Sequence, residues 1–173
     1  MNKSKYLLLV SSLGVLALVV LATAKDTWLK PWRKIQATAS IAGAPVDVRL
    51  RQIVVPGLRV ADRCVSCHVG MAPGESDVKG PPITAAHKPV GHDPADFGCT
   101  VCHSGQSRAT EQEDAHGQAE FWPEPMIPLK YAYAGCGSCH THVRVPNVEA
   151  LARGRNAFQR LDCLACHRLD GRG

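Results

Sequence analysis

Hydrophobic and polar positions fall into several regimes along this chain. From Tyr6 to Ala24 the stretch is apolar and uncharged, with Lys3 and Lys5 before it and Lys25 after it. Such a run predicts a helix close to the 20 or so residues that span a bilayer. Its basic start and its Ala22-Thr23-Ala24 ending also suit a cleavable signal sequence. Trp28 and Trp32, set among Lys25, Lys30, Arg33 and Lys34, match the aromatic and basic belt of a membrane interface, which favours an uncleaved anchor over residues 1–24. Next comes a linker, residues 25–61, in which Pro45 to Arg51 alternates strictly between apolar and polar. A period of two predicts a short strand with Val46, Val48 and Leu50 on one face, or else an extended linker of the same composition. Between residues 69 and 98, and again from Phe121 to Pro128, glycines or prolines break any helical period and predict loops. Two helices remain. Thr110-Glu111-Gln112-Glu113 is a capping-box pattern that, with Gly117 as C-cap, predicts a short helix carrying His116 near its end. Val148, Leu151, Phe158 and Leu161 recur at helical spacing and predict a helix from Val148 to Leu161, with Asn147 as its cap and Gly154 weakening it by about 1 kcal/mol.

Composition changes this picture in one respect. Among 173 residues only 5% are aromatic, while 15 are glycine and 12 proline, a poor recipe for a conventional hydrophobic core. A formal charge of +5 raises the question of an acidic partner such as nucleic acid. No basic run is interleaved with aromatics, so nucleic acid is set aside.

The cysteines carry the chemistry. All 8 fall in four repeats of one five-residue word: Cys64-Val65-Ser66-Cys67-His68, Cys99-Thr100-Val101-Cys102-His103, Cys136-Gly137-Ser138-Cys139-His140 and Cys163-Leu164-Ala165-Cys166-His167. Cys-x-x-Cys-His is the attachment signature of c-type haem: two thiols meet the two vinyl groups of one porphyrin, and the adjoining imidazole meets the iron. Two four-thiolate zinc sites or a disulfide framework would use the cysteines equally well, but neither requires a histidine after every second cysteine. A thioredoxin-like motif comes singly, beside a βαβ pattern. The words therefore predict four haem c groups, with His68, His103, His140 and His167 as proximal ligands. Porphyrin faces would then form most of the core, and the stretch from Cys64 onward is expected to be largely unfolded without them. With two ionised propionates each, four haems bring the total charge to about +1 when ferric and about −3 when ferrous, so lysines and arginines read as propionate partners.

Four of the 8 histidines lie outside the words, namely His87, His92, His116 and His142, one for each iron. They are the candidate distal ligands, with Met71 and Met126 as alternatives. In His140-Thr141-His142 the two imidazoles are too close in sequence to flank one iron, so His142 is a candidate for a neighbouring haem. Phe121, Trp122, Met126, Tyr131 and Tyr133 read first as side chains that pack on porphyrin. The expected fold is irregular and mainly α with little regular secondary structure: a multihaem cytochrome c domain over residues 62–173, wrapped on four haems, plus one N-terminal transmembrane helix.

On these words and the preceding apolar span, the chain resembles membrane-anchored multihaem c-type cytochromes, loosely the quinol-oxidising NapC/NirT/NrfH group. It departs from that group in that Met71 lies three residues beyond His68 and the fourth word is at the extreme end, so that group's quinone site is not carried over. The run Asp62-Arg63-Cys64 to Gly70, with Phe97-Gly98-Cys99 to Gln106 and Ala115-His116-Gly117, looks more like multihaem subunits of quinol-oxidising cytochrome b complexes. Residues 148–173, with Gly154, Phe158 and the fourth word, resemble the opening of a class I cytochrome c, which leaves the sixth ligand of the fourth haem open, partner-supplied or drawn from a spare histidine. The resemblance implies electron transfer from a quinol-oxidising membrane partner, across four haems, to an acceptor on the periplasmic side of the cytoplasmic membrane. The alternatives are a stand-alone quinol dehydrogenase and a multihaem redox enzyme with an open iron site.

Overall fold

The computed structural model describes residues 3–41, 43–72, 83, 85–140, 145 and 148–167. It is mainly helical, with little regular structure. Helix α1, Lys3–Trp28, covers the apolar run and is long and apolar enough to cross a membrane, a property that a signal sequence near an N-terminus shares. Its side chains are exposed along its length, as suits a helix that carries apolar residues on every side. The chain breaks at Leu29 and Lys30 because Pro31 starts a new helix, α2, Pro31–Thr38, where its missing N–H costs nothing.

Helix α2 buries one face. Trp32 and Gln36, one turn apart, are both buried, and Gln36 is fully so. Its Nε2 donates to the Ser66 carbonyl at 2.8 Å, while its Oε1 accepts from the Arg49 amide at 2.8 Å. Alongside, the Arg51 amide donates to Ser66 Oγ at 2.9 Å and that hydroxyl donates back to the Arg51 carbonyl at 2.7 Å. These bonds explain why the alternating run does not form the expected strand. From Val46 to Leu50 the chain is coil: the Val46 amide donates to the Ala39 carbonyl at 3.1 Å, and side chains of α2 and of the first word take the Arg49 and Arg51 amides that a neighbouring strand would otherwise use. Of the three residues expected on one face, Val46 is buried while Val48 and Leu50 are exposed.

Short strands lie to either side of that run. β1, Ser40–Ile41, pairs antiparallel with β2, Ala44–Pro45; β3, Ile53–Val55, pairs antiparallel with β4, Val60–Asp62, in the register Ile53 to Asp62. The β3–β4 hairpin delivers Asp62 two residues ahead of Cys64.

Three single turns follow: α3, Pro94–Phe97, capped by the Asp93 carboxylate on the Ala95 amide; α4, Thr100–His103; and α5, Gln112–Ala115. α3 interrupts a segment expected to be all loop. α5 matches the short helix expected before His116, but its N-cap is Glu111 with no side-chain bond, so the capping-box role expected of Thr110 is not realised. Phe121 to Pro128 is irregular, as its prolines require. A 3₁₀ stretch, Leu129–Ser138, leads into the third word, and α6, Glu149–Arg160, lies within one residue of the helix expected there. Asn147, the expected cap, lies outside the described residues, as do Pro81, Pro82 and Gly171 to Gly173.

Among the described residues the buried hydrophobic side chains are Trp32, Val46, Ile53, Val65 and Val69, all between α2 and the turn that follows the first word. From Cys99 onward the buried positions described are glycines, Gly105, Gly117 and Gly135. Leu129, Tyr131, Tyr133 and Leu161 are exposed there, and Phe121 is 92% exposed at a positive φ of 65°. Among the described residues from Cys99 onward there is thus almost no apolar core made of the chain's own side chains.

Candidate functional site

The four words share one local conformation. In each, the second cysteine's amide donates to the first cysteine's carbonyl, at 3.1, 3.1, 3.3 and 3.3 Å in chain order. The histidine amide donates to the same carbonyl at 2.8, 2.9, 2.9 and 2.9 Å. One helical turn therefore carries both thiols and the imidazole in each case, whether the turn is 3₁₀, as at Cys64–Ser66, or α, as in α4. None of the eight cysteines is in a disulfide.

Successive words are brought into contact. Asp62, 0% exposed, accepts from the Cys99 amide at 2.8 Å, the Thr100 amide at 2.7 Å and the Thr100 hydroxyl at 2.9 Å through Oδ2, and from the Cys64 amide at 3.4 Å through Oδ1. One carboxylate thus ties the first word to the second. The approach depends on Gly98: its φ of +75° suits glycine, and a Cβ there would lie 2.9 Å from Val60 Cγ1 and 3.2 Å from Asp62 Oδ2. Asp62, Cys64 and Cys99 bring their ligand atoms within 4.8 Å of one another. The shared hydrogen bond with Cys99, burial and the adjacent Asp62 push the Cys64 thiol far up. Cys102 is pushed up by burial first and then by Cys136 and Cys139, which places the third word beside the second. Gly135 makes that contact possible, since a Cβ on it would sit 2.0 Å from the Cys102 carbonyl oxygen. The third word is tied onward to α6, where Arg155 Nη2 donates to the His140 carbonyl.

The thiols do not converge in fours. Among the described residues, which include every cysteine, the Asp62, Cys64 and Cys99 group is the one that gathers three metal-ligating side chains. A four-thiolate zinc centre needs a different arrangement.

Three of the four spare histidines stand opposite word histidines. His116 faces His68 with ring centres 6.5 Å apart, His87 faces His103 at 6.1 Å, and His92 faces His140 at 5.9 Å. His92 also touches Phe97 at 4.8 Å, an ordinary ring contact. With metal–nitrogen bonds of about 2.0 Å and ring centres about 1.1 Å beyond the nitrogens, two imidazoles that share one ion have centres about 6 Å apart. All three pairs have that spacing. His142 lies outside the described residues. Met71 is half-buried at the end of the turn after the first word, and Met126 lies beside His116, to whose carbonyl its amide donates at 2.9 Å.

Comparison with protein-family models, curated proteins and solved structures found no match.

The residues present fit haem on three counts. His68 and His103 are held below the usual histidine range, chiefly by burial, then by His116 and His87 respectively, with a hydrogen bond to the Ile83 backbone opposing the shift at His68. Neutral imidazole is the form that ligates a metal. The Nδ1 atoms of both rings are buried with no hydrogen-bond partner among the described residues, as are Nε atoms of Arg33, Arg51 and Arg63. Such an orphan costs about 1–3 kcal/mol; a haem propionate would accept from the arginine Nε atoms, and the iron would take a single nitrogen of each ring. Finally, the poor apolar core from Cys99 onward suits a segment whose filling is a flat apolar cofactor.

Sequence reasoning missed Asp62, Gln36 and Gly135 as organising residues. Asp62 precedes a word by two positions and Gly135 precedes one by a single position, and proximity to the words was the one signal available. Gln36 carried no signal, because its partners are 30 and 13 residues away.

Proposed function

We propose that this chain is a tetrahaem c-type cytochrome, anchored by α1 in the cytoplasmic membrane with residues 25–173 on the periplasmic side, that carries electrons from a quinol-oxidising partner, of cytochrome b type or another kind, to a periplasmic acceptor. The observation that carries the reading is the set of three ring pairs, each joining a word histidine to a spare histidine across 5.9–6.5 Å. When bound, each haem supplies a one-electron ferric/ferrous couple, and its potential depends on axial ligands, burial and hydrogen bonding. The chain's own part is to fix those variables. Cys64, Cys67, Cys99, Cys102, Cys136, Cys139, Cys163 and Cys166 would form the thioether links, and His68, His103, His140 and His167 would ligate from the proximal side. His116, His87 and His92 would close the first three sites from the opposite side, with Asp62 and Gly135 keeping successive attachment turns in contact. Maturation of such cytochromes outside the bacterial cytoplasm supports the periplasmic orientation.

Intact-mass measurement of the natively purified chain tests the cofactor: four added haems are expected, and fewer than four, or zinc in their place, sinks the reading. Electron paramagnetic resonance then tests the ligation. Low-spin ferric signals are expected from the three paired sites, and a high-spin signal from any of those three would favour the enzyme alternative. Adding quinol to the purified chain, alone and with its membrane partners, decides between the two electron-transfer readings. Reduction is expected only with partners, and rapid reduction of the isolated chain would make it a quinol dehydrogenase in its own right.

A further inference from the structure

Asp62 is a carboxylate removed from water at the junction of two attachment turns. It accepts from the amides of Cys64, Cys99 and Thr100 and from the Thr100 hydroxyl, so the carboxylate is well solvated by dipoles while none of these donors is a cation that cancels its charge. A buried carboxylate is retained at a desolvation cost unless such donors offset it. Its position is set by the β3–β4 hairpin on one side and by the close approach that Gly98 allows on the other. The thiols of Cys64 and Cys99, the first cysteines of two different words, lie with it inside one 4.8 Å cluster.

We propose that Asp62 is a positioning residue shared by the first two cofactors, fixing their attachment turns against each other and holding a negative charge against both. The inference rests on the cytochrome reading above. A fixed negative charge stabilises the more positive oxidation state, so addition of one electron to either iron is disfavoured, and the pair is kept at lower potential than it would have without Asp62. The third and fourth words, which Asp62 does not touch, are exempt. The chain would thereby separate its four potentials into a lowered pair and a remainder.

The test is a spectroelectrochemical titration of the full, haem-loaded chain and of Asp62→Asn, which keeps the shape and one acceptor oxygen but removes the charge. Two of the four one-electron equilibria are expected to move toward the reduced form by about tenfold, equivalent to about 59 mV each, with the other two unmoved. Asp62→Glu, which restores the charge, should return the pair toward the original values. Four unchanged potentials, or one uniform shift of all four, with four haems still attached by intact mass, would overturn the proposal. Should Asp62→Asn fail to load its cofactors, Thr100→Val decides. It removes a single hydroxyl donor, leaves the charge less compensated, and is expected to move the same pair a smaller amount in the opposite sense; no movement overturns the idea. A wild-type chain with fewer than four haems sinks the cytochrome reading instead, so the two failures are distinguishable.

Discussion

Gly135→Ala offers a sharp test of the contact between the second and third words. A methyl at this position would lie 2.0 Å from the Cys102 carbonyl oxygen, 2.8 Å from its carbon and 3.1 Å from its Cα. Close carbon–oxygen contacts in proteins begin near 3.3 Å, so the two segments must separate by about 1.3 Å. All three obstructing atoms are backbone, and no rotamer change can relieve the clash. Overpacking of side chains typically costs 1–3 kcal/mol, and backbone against backbone belongs at the top of that range, about 3 kcal/mol. For a chain of this size that corresponds to a fall in melting temperature of about 6–12 °C. The same turn contains its own control, because a Cβ on Gly137 meets nothing within 4 Å. Melting curves of both haem-loaded variants, followed by circular dichroism, should show Gly137→Ala within about 0.5 kcal/mol of the parent and Gly135→Ala far below it. Equal melting temperatures for the two variants would show that the second and third words do not abut as described.

Three further outcomes are expected. Gln36→Leu should lower stability by about 2–4 kcal/mol in denaturant unfolding, because the Ser66 carbonyl and the Arg49 amide lose their partner together; an unchanged midpoint would mean that α2 is not latched to the first word. His116→Ala, His87→Ala and His92→Ala should each convert one ferric haem to high spin in electron paramagnetic resonance, and any double variant two. A single replacement that perturbed two haems would refute the pairing. Finally, Lys30 is held above the usual lysine range by its hydrogen bonds to Asp26 and then Glu111, so its contribution is intact below about pH 10.5 and is lost as pH rises from there through the raised folded value. Stability measured on the alkaline side should therefore fall as pH rises through that range, and a rise there would contradict the sign.

Much of the local structure was legible in the sequence, because it depends on neighbours. The apolar run became α1, the Val148 to Leu161 period became α6 within one residue, and the prolines after Phe121 kept that segment irregular. Of the two readings of Val46 to Leu50, strand or extended linker, the strand gave way for a tertiary reason: alternation records which side chains can share a face, but Gln36 and Ser66 took the Arg49 and Arg51 amides. The four words and the four spare histidines could be read as a list of candidates. Which spare ring faces which word was not readable, since it depends on how the segment between residues 83 and 116 folds over two other words. Asp62 was equally hidden, because a carboxylate that bonds amides 37 and 38 residues away leaves no periodic trace.

The contacts also impose an order. Words one and two meet through Asp62, two and three through Cys102 and Gly135, and three leads on to α6 and the fourth word through Arg155. The first three words are thus consecutive in contact, and Gln36, on the helix that follows α1, reaches the first of them. Yet the facing rings are supplied out of order: His116 lies beyond the second word but faces His68 in the first, while His92 lies before the second but faces His140 in the third. A chain laid out as a row of independent haem modules would draw each facing ring from its own segment. On the proposed reading, the first and third sites would each borrow a ring from the segments that flank the second word, so those two sites would be complete only once the second word's surroundings have folded.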